Sequence, residues 1–140
     1  MKTLLLSILL FIATNGMAQT KGDNTIIFHQ SISVDNIKSL LFTNGYALSG
    51  TDTAYITTSV KELSNAPIAI KFMISKKDSV TYFRALYKPT ISFQFGSAKT
   101  ESDFEQLSFI GEKRGPIKKA WYEMERITKL LSNSISYTKQ

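Results

Sequence analysis

Residues 115–131, GPIKKAWYEMERITKLL, constrain this chain more than any other stretch. Apolar side chains recur at Ile117, Ala120, Trp121, Met124, Ile127, Leu130 and Leu131. Steps of three and four place them along one side of a helix. Pro116 stands where a helix accepts proline, because the N–H it lacks would be unpaired in the first turn anyway. Lys118, Lys119, Glu123, Glu125, Arg126 and Lys129 fall mostly on the other side. Glu125 precedes Lys129 by one turn, the favourable order for an exposed ion pair. A helix with so broad an apolar stripe is not stable alone in water. The rest of the chain must supply a sheet or a second helix beneath it.

The upstream pattern supplies both. Residues 25–32 read as a strand, with Ile26, Phe28 and Ile32 on one side. Ser33 can cap a helix over 34–44, whose apolar positions are Val34, Ile37, Leu40 and Leu41. Gly45 is the left-handed terminator expected at its end. The chain restarts in extended form at 46–48, turns at 49–52, and forms a Thr-, Val- and Tyr-rich strand over 53–63. After the break at Asn65-Ala66-Pro67, residues 68–75 alternate cleanly. Residues 76–79 make a hairpin turn, and 80–87 return as the partner strand until Lys88-Pro89. Short strands are expected at 91–95 and 104–110, separated by a polar surface loop over 96–103. The predicted class is α+β, in the order β-α-β4-α. An antiparallel sheet carries both helices on one face. Ile56, Val60, Ile68, Ile70, Phe72 and Ile74 would face the helices. Tyr55, Thr57, Ser59, Lys71 and Met73 would face away. Tyr82 and Arg84 are assigned to that open side as well, because a buried Arg would need an acidic partner.

The first residues stand outside this fold. A positive start at Lys2, an apolar run over 4–13 broken only by Ser7, and Gly16-Met17-Ala18 come in the order of a secretory leader. The run is too short to span a bilayer comfortably. The expected cut lies between Ala18 and Gln19. Residues 19–24 would then be a flexible N-terminus, 25–137 a single domain and 138–140 a tail. The exported protein would be periplasmic or secreted, with no membrane-spanning segment. Of 140 residues, 122 would remain, enough to bury a core without cross-links. That matters because the chain has no cysteine, which removes disulfides, thiol catalysis and most structural zinc sites. Only Lys2 leaves with the leader, so the net charge falls from +6 to +5. The basic residues are dispersed in pairs rather than runs, so nucleic acid is not an expected partner.

No catalytic constellation emerges. His29 is the only histidine, and neither a metal site nor a nucleophilic triad has partners at a readable spacing. Glu101, Asp103 and Glu105 alternate and could align on one side of an extended segment, but calcium loops supply more oxygens and a glycine turn. Glu123 and Glu125 diverge on a helix. Asp52 sits in a turn, where Asp is expected. Gly111 and Gly115 match no phosphate-binding loop. No cofactor, metal site or enzymatic activity is expected. What remains is the open sheet face. Tyr55, Thr57, Lys71, Met73, Tyr82 and Arg84 would make a mixed aromatic and basic surface suited to a protein, glycan or lipid headgroup. An ordinary solvated face, or one covered by residues 90–110, is the competing reading.

The order of elements resembles the TATA-box-binding-protein-like fold, in which a strand and a helix precede four strands and a closing helix. More closely, it is similar to small exported Bacteroidetes proteins whose folds resemble the barrel-assembly lipoprotein C subunit. The matching motifs are Asn44-Gly45-Tyr46, Tyr55-Ile56-Thr57-Thr58, Ala120-Trp121-Tyr122-Glu123-Met124 and Ile135-Ser136-Tyr137. The resemblance covers residues 25–137. It does not extend to a lipid anchor, since the anchoring Cys is absent, and residues 90–114 are longer than the plain fold needs. It implies a non-enzymatic binding or accessory role in the cell envelope, with an envelope protein or small ligand as partner. The alternative is a binder of small apolar ligands or lipid, with a cavity between the sheet and the last helix around Trp121.

Overall fold

The computed structural model describes residues 18–140 except 53, 92, 97, 101, 112 and 113, and only the backbone of 51, 93–95 and 98–100. The expected leader, residues 1–18, lies outside the described residues but for its last. In chain order the elements are β1 (Thr25–Phe28), α1 (Val34–Thr43), β2 (Leu48–Thr51), β3 (Tyr55–Thr58), β4 (Lys61–Glu62) and β5 (Ile68–Lys77). Then come β6 (Val80–Pro89), β7 (Phe93–Phe95), β8 (Ala98–Thr100), β9 (Glu105–Gln106), α2 (Pro116–Leu131) and β10 (Ile135–Thr138).

The ten-residue strands β5 and β6 pair along their whole length, from Ile68↔Pro89 to Lys77↔Val80. Their turn is just Asp78-Ser79, and both residues hold positive φ, 52° and 66°. Two left-handed residues in a two-residue hairpin match the strand twist, at a steric cost that Asn-Gly would avoid. Each edge of this long hairpin is shared by two shorter strands. Along β5, β3 pairs at residues 73–75 and β4 at 69–70. Along β6, β1 pairs at 81–83 and β9 at 86–87. β2 lies outside β3 and β10 outside β1, which gives one antiparallel sheet in the order β10-β1-β6-β5-β3-β2. β7 and β8 form a separate hairpin. Over the described residues the architecture is α+β, an open antiparallel sheet with two helices.

Register decides the facing. Ile26, Phe83, Ile74 and Ile56 are successive cross-strand neighbours, and all are buried. They share one core with Ile37 and Leu41 of α1 and with Ala120, Trp121, Met124 and Ile127 of α2. Both helices therefore lie on the same sheet face. Trp121 is 1% exposed, between the rings of Phe109 at 5.7 Å and Tyr137 at 6.2 Å. Ser33 caps α1 through Asn36 N–H, and Gly45 follows with φ 78°. Among the described residues, no helix is long and apolar enough to cross a membrane.

Several local expectations differ from the structure. The strand over 53–63 is two pieces, β3 and β4, separated at Ser59-Val60. Val60 is consequently 47% exposed instead of facing the helices. Residues 49–51 are not a turn but the end of β2, because pairing with β3 satisfies their backbone groups. Gly50 sits at a register shift there, and a Cβ would lie 2.7 Å from Thr57 Oγ1. The strand over 104–110 shrinks to Glu105–Gln106, and part of the loop over 96–103 is β8. Residues 135–138 form a full strand, which the β-α-β4-α order lacked. Leu130, counted in the apolar stripe of α2, is 55% exposed. Residues 19–24, read as flexible, make specific bonds. Asp23 and Asn24 are buried, Gly22 N–H donates to Phe109 C=O at 2.8 Å, and Asn24 N–H donates to Thr138 C=O at 3.0 Å.

Candidate functional site

The six residues nominated from sequence come together. Thr57, Met73 and Arg84 are cross-strand neighbours in one row, and Tyr55, Ser75 and Tyr82 in the next. Lys71 follows beside Leu86. All lie on the face opposite the helices, since the residues alternating with them form the core. Tyr55 is 45% exposed and the other five are half-buried. Arg84 is partly committed: its Nε donates to Thr25 Oγ1 at 3.2 Å and its Nη2 to Gln140 Oε1. The 90–110 excursion reaches one end of this face. The Phe104 ring receives the ammonium groups of Lys71 at 4.6 Å and Lys88 at 5.0 Å. Neither lysine forms an ion pair with a described carboxylate, and the ring face attracts both ammonium groups.

A second constellation lies where α1 ends against α2. Tyr46 is buried beneath the sheet face, its ring 4.6 Å from that of Phe72. Its hydroxyl donates to Glu123 Oε1 at 2.7 Å. Arg126 donates to both oxygens of Glu123, from Nε at 2.8 Å and Nη2 at 2.9 Å, and from Nη1 to Asn44 Oδ1 at 3.0 Å. Lys61 donates to Asn44 C=O at 2.7 Å and lies 4.1 Å above the Tyr46 ring. Burial pushes the Tyr46 phenol far above its ordinary value, and the bond to Glu123 adds to this. Burial also pushes the Glu123 carboxyl upward, but the hydrogen bonds from Arg126 and Tyr46 and the charges of Arg126 and Lys61 reverse that and hold it low. This network unites two motifs that were legible separately, Asn44-Gly45-Tyr46 and the Trp121–Met124 region. Tyr46, Lys61 and Arg126 each donate to a neighbour, so the network braces the end of α1 against α2.

Glu125 was expected on the exposed side of α2. It is 5% exposed instead. Its Oε1 accepts from the Tyr137 hydroxyl at 2.6 Å and from Gln19 Nε2, with Lys129 Nζ at 3.8 Å. Burial, followed by the bond to Glu125, raises the Tyr137 phenol to about 12. The signal for this was present. Trp121, Glu125, Thr128 and Ser132 are spaced four, three and four apart, and all are buried. The partners that make a carboxylate tolerable there come from opposite ends of the chain, beyond the reach of local spacing.

The other nominated groups do not assemble into a site. His29 is exposed. Asp103 is exposed, Glu105 accepts from the Tyr87 hydroxyl at 3.0 Å, and Glu101 lies outside the described residues. Burial, with the bond to Glu105, raises the Tyr87 phenol. Among the described residues, no three His, Cys, Asp or Glu side chains could share a metal ion.

Two adjoining depressions flank the first half of α2. One, of about 440 Å³, runs between the β4–β5 connection and the helix, past Lys61, Asn65, Glu123 and Arg126. The other, of about 500 Å³, is walled by Ala66, Pro67, Pro116 and Tyr122. Lys119 and Tyr122 belong to both. The cavity expected around Trp121 is not what this second depression is: its lining runs from Arg114 to Tyr122 on the helix side and does not include Trp121. Compared with known proteins, the chain matches no family model, no curated protein and no solved structure.

Proposed function

We propose that this protein is a non-enzymatic, exported binding or accessory module of the cell envelope that engages a partner protein through the open sheet face. The observation that carries the reading is the register. It sets Thr57, Met73 and Arg84 beside Tyr55 and Tyr82 in adjacent rows, on the side away from both helices. A flat surface combining aromatic rings, a thioether and cations suits protein recognition, where Tyr, Met and Arg are enriched. The order of strand, helix, antiparallel strands and helix also supports kinship with the TATA-box-binding-protein-like fold. The leader-like residues 1–18 support export, and the intact mass of the exported protein tests this: loss of those residues is expected, and their retention overturns it.

Photo-crosslinkers at Tyr55 and Met73, applied in intact envelopes, test the partner reading. A discrete adduct at both positions, lost on Tyr82→Ser with Arg84→Ser, is expected. No adduct at either position, with a control at Val60 equally blank, overturns it.

A second reading has its own observation. The cleft of about 500 Å³ walled by Ala66, Pro67, Pro116 and Tyr122 is of the size and character of a small-molecule site. It supports a binder of small apolar ligands or lipid, with the ligand between the sheet end and α2.

A further inference from the structure

The cleft at the start of α2 combines two features that a plain apolar pocket would not need. Its walls are hydrocarbon and ring. The charged side chains lining it are Arg114, Lys118 and Lys119, and among the described residues no carboxylate lines it. The first turn of α2 contains no acidic residue. Lys118 Nζ sits 5.1 Å from the centre of the Tyr122 ring, beside the apolar wall, and makes no ion pair with any described residue. Lys119 Nζ is held by Asn65 C=O, a neutral acceptor that leaves its charge uncompensated. The Tyr122 ring is 51% exposed, so the wall stands in water.

Each feature selects half of a ligand. Covering exposed apolar wall with a hydrocarbon chain is favourable by about 25 cal/mol for each Å² removed from water. Three like charges around one depression raise its potential and attract an anion, the more so where low-dielectric walls focus the field. An uncharged hydrocarbon would satisfy only the walls, and a free inorganic anion only the cations. We infer that the cleft binds a single-chain anionic amphiphile. Its chain lies against Pro67, Pro116 and Tyr122, and its carboxylate or phosphate head meets Arg114, Lys118 and Lys119. The inference rests on the ligand-binding reading above and adds the charge of the head group to it.

Titration calorimetry of the purified exported protein with decanoate, decyl phosphate and uncharged decanol, each below its aggregation concentration, separates the two claims. At least one anionic probe is expected to bind about tenfold or more tightly than decanol. Which one does so assigns the head as carboxylate or phosphate. Replacing Arg114, Lys118 and Lys119 together by Gln should bring the anionic probes down to the affinity of decanol for the same variant. Tyr122→Ser should weaken all three probes, and its exposed position keeps the core intact. Equal binding of charged and uncharged probes overturns the anionic head but keeps the ligand-binding reading. No binding of any probe to a protein with an unaltered unfolding midpoint overturns both.

Discussion

The Tyr46 hydroxyl donates to Glu123 across 2.7 Å and 77 residues of sequence, so the end of α1 is bonded to the middle of α2. Tyr46→Phe keeps the ring against Phe72 and removes only this bond. A loss of about 1.5–3 kcal/mol is expected from urea unfolding, since the acceptor is a charged carboxylate. Glu123→Ala should cost more, because it leaves the buried phenol without its acceptor and removes two of the three bonds that Arg126 makes. Glu123 is held below its ordinary value, so its share of stability is present above the unfolded carboxyl pKa of 4.5 and is lost as pH falls through the folded value. Glu123→Gln should therefore flatten the acid limb of the stability profile.

The alkaline limb has a separate origin. The Tyr137 phenol is raised from 10.0 to about 12 in the folded protein. Its neutral form is the one the fold favours, so the contribution is complete below pH 10 and disappears between pH 10 and about 12, as the unfolded chain ionises first. Tyr46 and Tyr87 are raised as well and act in the same direction. The urea midpoint should fall through this window, and Tyr137→Phe should make the fall shallower. An unchanged slope in that variant would remove Tyr137 from the account.

The β5–β6 turn holds Asp78 and Ser79 at positive φ. A left-handed residue with a side chain costs about 1 kcal/mol that glycine does not pay. Ser79→Gly should raise stability by up to that amount, read as a higher thermal midpoint. A lower midpoint would mean that glycine's extra freedom in the unfolded chain outweighs the relief.

Trp121 carries a buried Nε1 with no hydrogen-bond partner among the described residues. Trp121→Ala should cost about 3–5 kcal/mol through lost burial and a residual cavity. Trp121→Phe loses no hydrogen bond and sheds an unsatisfied donor, so its cost should be less than half as large. Equal costs for the two variants would place an undetected partner at Nε1.

Much of the architecture was legible because period alone carries it. The three-and-four spacing of Ala120, Trp121, Met124 and Ile127 located α2, and the alternation of Ile68, Ile70, Phe72 and Ile74 fixed which side of β5 is buried. Tyr55, Thr57, Lys71 and Met73 were placed on the open face by the same alternation, and Tyr82 and Arg84 by the cost of burying an arginine without an acidic partner. Features set by long-range pairing were not legible. Residues 49–52 look like a turn by composition, yet partnership with β3 carries strand β2 through Thr51. Val60 continues an alternating pattern whose strand has already broken. Glu125 reads as a surface acid until Tyr137 and Gln19 arrive from elsewhere in the chain. The clefts beside α2 belong to this second kind, since Pro67 and Pro116 stand 49 positions apart and only the fold sets them face to face.

β1 is flanked by β6 on one side and by β10 on the other. During vectorial synthesis, residues 25–28 emerge long before residues 135–138, so β1 must wait with one row of amides and carbonyls open until more than a hundred further residues have been made. A nascent protein of this design is sticky along that row, and escorting it until the closing strand arrives is a task for whatever receives it from the ribosome.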